Sequence, residues 1–199
     1  MPRDPPQEGR WADAWNQDYA WFTRDEARQF LPGAIELEPE PGRTHEVPRP
    51  LVERLARFHF LDNVRGQTSP FPAGAIEDAT LTSRVTAVDG EVVSLRLEGR
   101  TKAVQKGDWS IRGYRDMNRP GGQERGLEMK LLGSARFDRQ QGRFIGFEVV
   151  AVGTRWGGTQ YNGRGNDLAP APFGAVLSLA GESRAERVAP EHFRGYGWR

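Results

Sequence analysis

Two polar stretches carry the residue types that could do chemistry. The first, RFHFLDNVRG, sets Arg57, His59, Asp62, Asn63 and Arg65 close together. A histidine beside a carboxylate can serve as a base, a ligand or a hydrogen-bond donor. The second, TRWGGTQYNGRGND, holds Arg155, Trp156, Tyr161, Arg164 and Asp167 in a glycine-rich run. Loops that present polar and aromatic groups at the end of a rigid strand are where binding sites concentrate. Each stretch also has a plainer reading. A helix ending at Asp62-Asn63 would welcome His and Arg beside its last carbonyls, with Asn63 in a left-handed cap. The glycine-dense run could simply turn and fold Trp156 back on a sheet edge.

Several chemistries lack their signature. The chain has no cysteine, which removes disulfides, thiolate catalysis and cysteine-ligated metals. No Gly-x-Ser-x-Gly elbow is present. The three histidines, His45, His59 and His192, are scattered and form no His-x-x-x-His pair. The glycines after Trp156 are followed by no Gly-Lys-Ser/Thr, so they are not a phosphate loop. Paired carboxylates for glycoside hydrolysis stay open, because their separation is invisible in sequence. No cofactor and no metal are expected.

Net charge is +1, and neither the acidic first quarter nor the mildly basic remainder makes nucleic acid an expected partner. Of the 28 basic residues only Lys102, Lys106 and Lys130 are lysine. Arginine in such excess suits bidentate recognition of phosphate or carboxylate, but a GC-rich genome accounts for it more simply. No run of about 18 apolar residues exists, so no membrane span is expected. The opening MPRDPPQEGR lacks the apolar stretch of a signal peptide. A cytoplasmic location is the default, although an exported mature chain would look the same.

The elements that must position these groups are mostly strands. In Leu127–Gly153, residues Leu127, Met129, Leu131, Ala135 and Phe137 alternate, as do Ile145, Phe147, Val149 and Ala151. Alternate side chains share a face in a strand. Pairing Phe137 with Arg143 across a loop of 138–142 would align both apolar sets, with Gly142 at positive φ. The even face is mixed, because Leu132, Phe144, Val150 and Val152 join Glu128 and Lys130; it is either partly covered or lines a cavity. A second hairpin runs from Thr80 to about Val104. A three-residue loop, Val88-Asp89-Gly90, would pair Val85 with Val93 and Leu81 with Leu97. A last strand covers Phe173 to Ala180.

The amino-terminal part reads as helical. Residues 1–9 look like a disordered lead-in. Trp11, Trp15 and Phe22 recur at helical spacing, which predicts a helix from Arg10 to Phe22. Thr23 to Glu26 is a capping box, predicting a second short helix to Phe30 or Leu31. An extended acidic connector follows. Pro50, Leu51, Val52, Leu55 and Phe58 then predict a helix from about Pro50 to Phe58 or Phe60. Gly107-Asp108-Trp109 matches the Gly-x-Trp triplet of lipocalins, but stands mid-chain rather than at a first strand, and is taken as coincidence.

At RFHFLDNVRG, RFDRQQGRFIGFEVVAVGTRWG and PFGAVLSLA the chain resembles a family of bacterial proteins, planctomycete-like in character. That resemblance spans residues ~50–190 loosely and implies no activity, so it assigns no role to any position. The expected architecture is mainly β (α+β): an antiparallel sheet curving into a barrel or sandwich, with two or three short helices packed on it. It would form one domain over 10–199, helical from 10 to 62 and sheet from 79 to 180. The leading functional expectation is a non-catalytic binding module for a small amphipathic ligand, a glycan or a partner protein. Its site would lie between the His59–Arg65 stretch and the Trp156–Asp167 loop. A hydrolase built on His59 and a carboxylate, and an interaction domain of a larger assembly, are the alternatives. Oligomeric state is left open.

Overall fold

The computed structural model describes residues 17–33, 38–112 and 122–198. The start of the predicted first helix, with Trp11 and Trp15, lies outside these residues, as do the lead-in and most of the run around Asn118. Six strands form one antiparallel sheet in chain order: β1 (Thr44–Glu46), β2 (Ile76–Asp89), β3 (Val92–Gly107), β4 (Gln123–Asp138), β5 (Arg143–Trp156) and β6 (Ala171–Ser178). Among the described residues two α-helices accompany them, α1 (Arg24–Arg28) and α2 (Arg49–Phe58). The mainly β architecture with short helices is as expected. The sheet is open, with β1 and β6 as its two edges.

The alternation in sequence becomes a division between two faces. Leu81, Val85, Val93, Leu95, Leu97, Leu127, Met129, Leu131, Ala135, Phe137, Val149 and Ala151 are all buried on one face. Against it packs α2, whose Leu51, Val52, Leu55 and Ala56 join the same core. Pro50 sits in the first turn of α2, where its missing N–H costs nothing. Helix α1 starts at the predicted capping box: the Thr23 hydroxyl accepts from the Glu26 N–H at 3.1 Å, and Glu26 accepts from the Thr23 N–H at 2.9 Å. Residues 17–22 are not helical, unlike the expectation for 10–22. Phe22 packs edge-on to Phe30 at 5.4 Å while Trp21 is left 42% exposed, so these two rings are held by the core rather than by a helical turn.

Both hairpins keep the expected faces by a different route. The β4–β5 turn pairs Asp138 with Arg143 and Phe137 with Phe144, then a bulge at Ile145 shifts the register to Ala135 opposite Phe147 and Leu131 opposite Ala151. The extra residue reverses parity near the turn. Phe144 therefore leaves the even face and packs edge-on to Phe30 and Phe137, both at 5.4 Å. In β2–β3, Asp89 pairs with Val92 across a Gly90-Glu91 turn, and a bulge at Thr86 brings Val85 opposite Leu95. Gly90 and Gly142 both take positive φ.

Close approach of neighbouring strands needs glycine at Gly133. A Cβ there would lie 2.2 Å from the Glu148 carbonyl oxygen. Such positions let a sheet bend where a side chain would hold the strands apart. Gly133→Ala is expected to lower stability by roughly 1–3 kcal/mol, seen as an earlier denaturant midpoint with an unchanged slope.

The opposite face of the sheet is open. Leu132, Val150 and Val152 are 52%, 41% and 51% exposed, among charged neighbours such as Lys130 and Glu148. Among the described residues, no helix is long and apolar enough to cross a membrane.

Candidate functional site

Alternation on β4 and β5 carries the core face past its apolar residues to Arg125 and Arg155, which are 5% and 3% exposed at the same end of the sheet. Strand register places Leu127 opposite Arg155. Buried guanidiniums require acceptors, and two loops provide them. The segment after α2 supplies Asp62, which receives Arg164 bidentately: Nε to Oδ2 at 2.8 Å and Nη2 to Oδ1 at 2.9 Å. The loop after β5 supplies Asp167, whose Oδ2 is shared by Arg155, by Arg164 Nη1 at 2.9 Å and by Arg65 Nη1 at 3.4 Å. Burial alone would raise the Asp167 carboxyl, but Arg155 and Arg164 outweigh it and hold it below the ordinary value.

Five of the ten candidate residues, Asp62, Arg65, Arg155, Arg164 and Asp167, thus meet in one ion network. Asn63 supports it from behind, accepting the Thr68 N–H at 2.9 Å through Oδ1. It does not adopt the left-handed cap, since among the described residues positive φ occurs only at glycine. Trp156 stands on the flank, donating to Glu124 at 2.8 Å and lying against Gly126, where a Cβ would come within 2.0 Å of the ring. Beside it opens a cleft of about 370 Å³ lined by Lys106, Gln123, Glu124, Trp156 and Leu168. Tyr161 is 70% exposed. Arg57 is a tie between segments: its Nε donates to the Phe71 carbonyl at 3.2 Å and its guanidinium covers the Phe58 ring.

His59 belongs to a different cluster. Helix α2 ends at Phe58, short of Asp62, and the His59 ring caps no helix carbonyl. Its Nδ1 donates to Asp18 Oδ2 at 2.8 Å, and its Nε2 is hydrogen-bonded to the Tyr196 hydroxyl. The His59 side chain is 3% exposed. Burial pushes the Tyr196 hydroxyl well above its ordinary value. Burial would also raise the Asp18 carboxyl, yet hydrogen bonds from His59 and from the Glu191 and Tyr19 N–H groups hold it low. Next to this chain, Arg54 is paired with both Glu26 oxygens and lies 4.4 Å from the Tyr196 ring centre and 5.3 Å from that of Trp198. The carboxy-terminal residues Tyr196 and Trp198 are therefore docked onto α1 and α2.

Glu26 makes this docking pH-sensitive. Burial would raise its carboxyl, but hydrogen bonds from Arg54, Thr23 and Trp198 lower it from 4.5 to about 2. A value lowered by folding contributes stability in full above about pH 4.5, and that contribution is lost as the pH falls through 2. Unfolding midpoints in urea are expected to drop across this window, and Glu26→Gln should flatten the drop while lowering stability at pH 7.

An aromatic groove lies at the β6 edge. It is about 350 Å³ and is walled by Tyr19, Trp21 and Phe22 on one side and by Phe144, Phe147 and the β6 residues Val176–Ser178 on the other. Asp18 and Glu186 border it, and among the described residues no Lys, Arg or His lines it. The Glu186 carboxyl is held low by the Ser183 hydroxyl and the Gly181 N–H. Of the Asp18 oxygens, Oδ1 accepts from the Tyr19 and Glu191 N–H groups at 2.7 and 3.2 Å and Oδ2 from His59, which leaves Oδ2 one acceptor direction.

Sequence reasoning gave no site role to Asp18, Arg54, Arg125 or Tyr196, and gave Glu26 only its part in the capping box. Arg125 had a signal, since it falls on the odd face in line with Leu127 and Met129. The others meet only through contacts remote in sequence. Among the described residues, no group of three His, Asp or Glu side chains is placed to hold a metal ion. Comparison with family models, with curated proteins and with solved structures finds no match.

Proposed function

We propose that the protein is a non-catalytic binding module, and that the β6-edge groove takes a small amphipathic ligand with an apolar body and a basic head. One observation carries this reading: an aromatic groove bordered by two carboxylates held in their charged form, with no basic side chain among the described residues of its lining. Apolar concavities with a few placed polar groups are the usual form of small-molecule sites. A cationic head gains from the carboxylates and from the faces of Trp21 and Tyr19. The ion network at Asp62 and Arg164 acts as the rigid support for the far end of the sheet.

The hydrolase alternative has half of its geometry. His59 is within hydrogen-bond reach of Asp18, but its ring is buried and its second nitrogen faces the buried Tyr196. A general base must reach a substrate proton, and this one is enclosed.

Titration with octylamine, followed by tryptophan fluorescence, tests the binding reading. The expected result is saturable one-to-one binding with Kd on the order of 100 µM. Octanoate should bind at least about tenfold more weakly, and Glu186→Gln should narrow the difference. Equal binding of amine and carboxylate, or none of either, would overturn the proposal.

A further inference from the structure

The two edges of the sheet differ. Edge strand β1 has only three residues and carries Glu46. Short, charged edges discourage another chain from pairing. Edge strand β6 runs for eight residues, APFGAVLS, without a charge. The Leu179 N–H donates to the Phe147 carbonyl at 2.9 Å. The same register continues unbroken, with Leu177 opposite Val149 and Ala175 opposite Ala151. In an antiparallel pair every second residue exchanges both backbone bonds with its opposite. The odd residues of β6 therefore bond to β5, and the N–H and C=O groups of Gly174, Val176 and Ser178 point away from the sheet. All three residues are exposed, and among the described residues no strand pairs with β6 on that outer side.

The aromatic groove follows this same edge. Val176, Leu177 and Ser178 form one wall, and Phe144 and Phe147 contribute from the core face. A strand added antiparallel to β6 would alternate its side chains between the two faces of the sheet. Its residues opposite Gly174, Val176 and Ser178 would bond to β6 and send their side chains to the open face. The residues between them would send theirs into the groove, toward Trp21 and the carboxylates of Asp18 and Glu186. Charge then selects the occupant. The β6 strand of a second copy has no basic residue to set against these carboxylates, whereas a basic peptide has.

We propose that the β6 edge and its groove together take an extended basic peptide, added antiparallel as a further strand, with apolar side chains and a lysine or arginine facing the groove. This rests on the binding reading above and extends it, because main-chain bonds to the edge supply affinity that a small amine lacks.

The test uses the peptide Ac-TLTKTLT-NH2, whose leucines and lysine share one strand face, with the full chain and tryptophan fluorescence. The peptide should bind at least about tenfold more tightly than octylamine. N-methylation of the two threonines beside the lysine removes N–H groups aimed at β6 and should weaken binding at least about tenfold. N-methylation of the two leucines, whose N–H groups point away, should change it by less than about threefold. Exchange of the lysine for glutamate should weaken binding about tenfold. Equal loss from both methylation patterns, or a peptide no tighter than octylamine, would overturn strand addition and leave the small-ligand reading standing. Failure of octylamine to bind as well would overturn both. Sedimentation of the chain alone tests the other occupant: a dimer that the peptide fails to dissociate would assign the edge to a second copy and overturn the proposal.

Discussion

Asp62→Ala is expected to destabilise the protein by about 3–5 kcal/mol, the cost of leaving buried cations without their counter-charge. At this chain length that corresponds to a fall in Tm of roughly 10 °C. The reason lies in what remains. Arg164 is 2% exposed, and both oxygens of Asp62 are committed to it. Removing the carboxylate takes away the acceptor of Arg164 Nε and Nη2 and leaves Asp167 to serve both Arg155 and Arg164. The pair itself is a different matter. Two buried charges cost desolvation that their attraction roughly offsets, so the double variant Asp62→Leu with Arg164→Met should be less damaged than Asp62→Ala alone. A double-mutant cycle by urea unfolding checks this. If both carriers of charge were merely surface ornaments, the single variant would change stability by less than about 0.5 kcal/mol.

Phe30→Ala should cost a similar 3–5 kcal/mol, for a reason rooted in packing. Phe30 is fully buried, and its ring meets Phe22, Phe144 and Phe147 edge-on at 5.4, 5.4 and 6.3 Å. Those three rings also wall the groove at β6. Truncation therefore leaves a cavity beneath the groove and frees its walls to sink inward. The expected result is a double loss: an earlier unfolding midpoint, and octylamine binding weakened at least fivefold under conditions where the variant is still folded. A stability loss with unaltered binding would separate Phe30 from the groove.

Much of this architecture was legible from the odd positions of Leu127–Gly153. Alternation placed Leu127, Met129, Leu131, Val149 and Ala151 on one face, and the structure buries all five. Thr23 and Glu26 marked the start of α1, and Pro50, Leu55 and Phe58 marked α2. The bulges at Thr86 and Ile145 were not legible, because either register leaves the same apolar residues facing inward away from the turn. Phe144 illustrates the consequence: assigned by parity to the even face, it is turned into the core by the bulge beside it.

The polar clusters divide in the same way. That Asp62 would meet Arg164 was expected only as two stretches flanking one site; their actual relation is a bidentate pair in a buried network. The chain Asp18–His59–Tyr196 joins the two ends of the protein across 41 and 137 positions in sequence. No local pattern announces such contacts, since each depends on where the whole sheet and both helices bring the chain. Arg125 and Arg155 are the exception, because a charged residue that continues an apolar alternation is a buried charge in advance of any structure.

Backbone amide chemical-shift mapping with octylamine tests the central claim, that the groove at β6 is the binding site. Saturable shifts are expected at Tyr19–Phe22, Phe147 and Leu177–Leu179, with Leu132, Val150 and Val152 unmoved. Shifts confined to that open sheet face, or to the cleft beside Trp156, would contradict it.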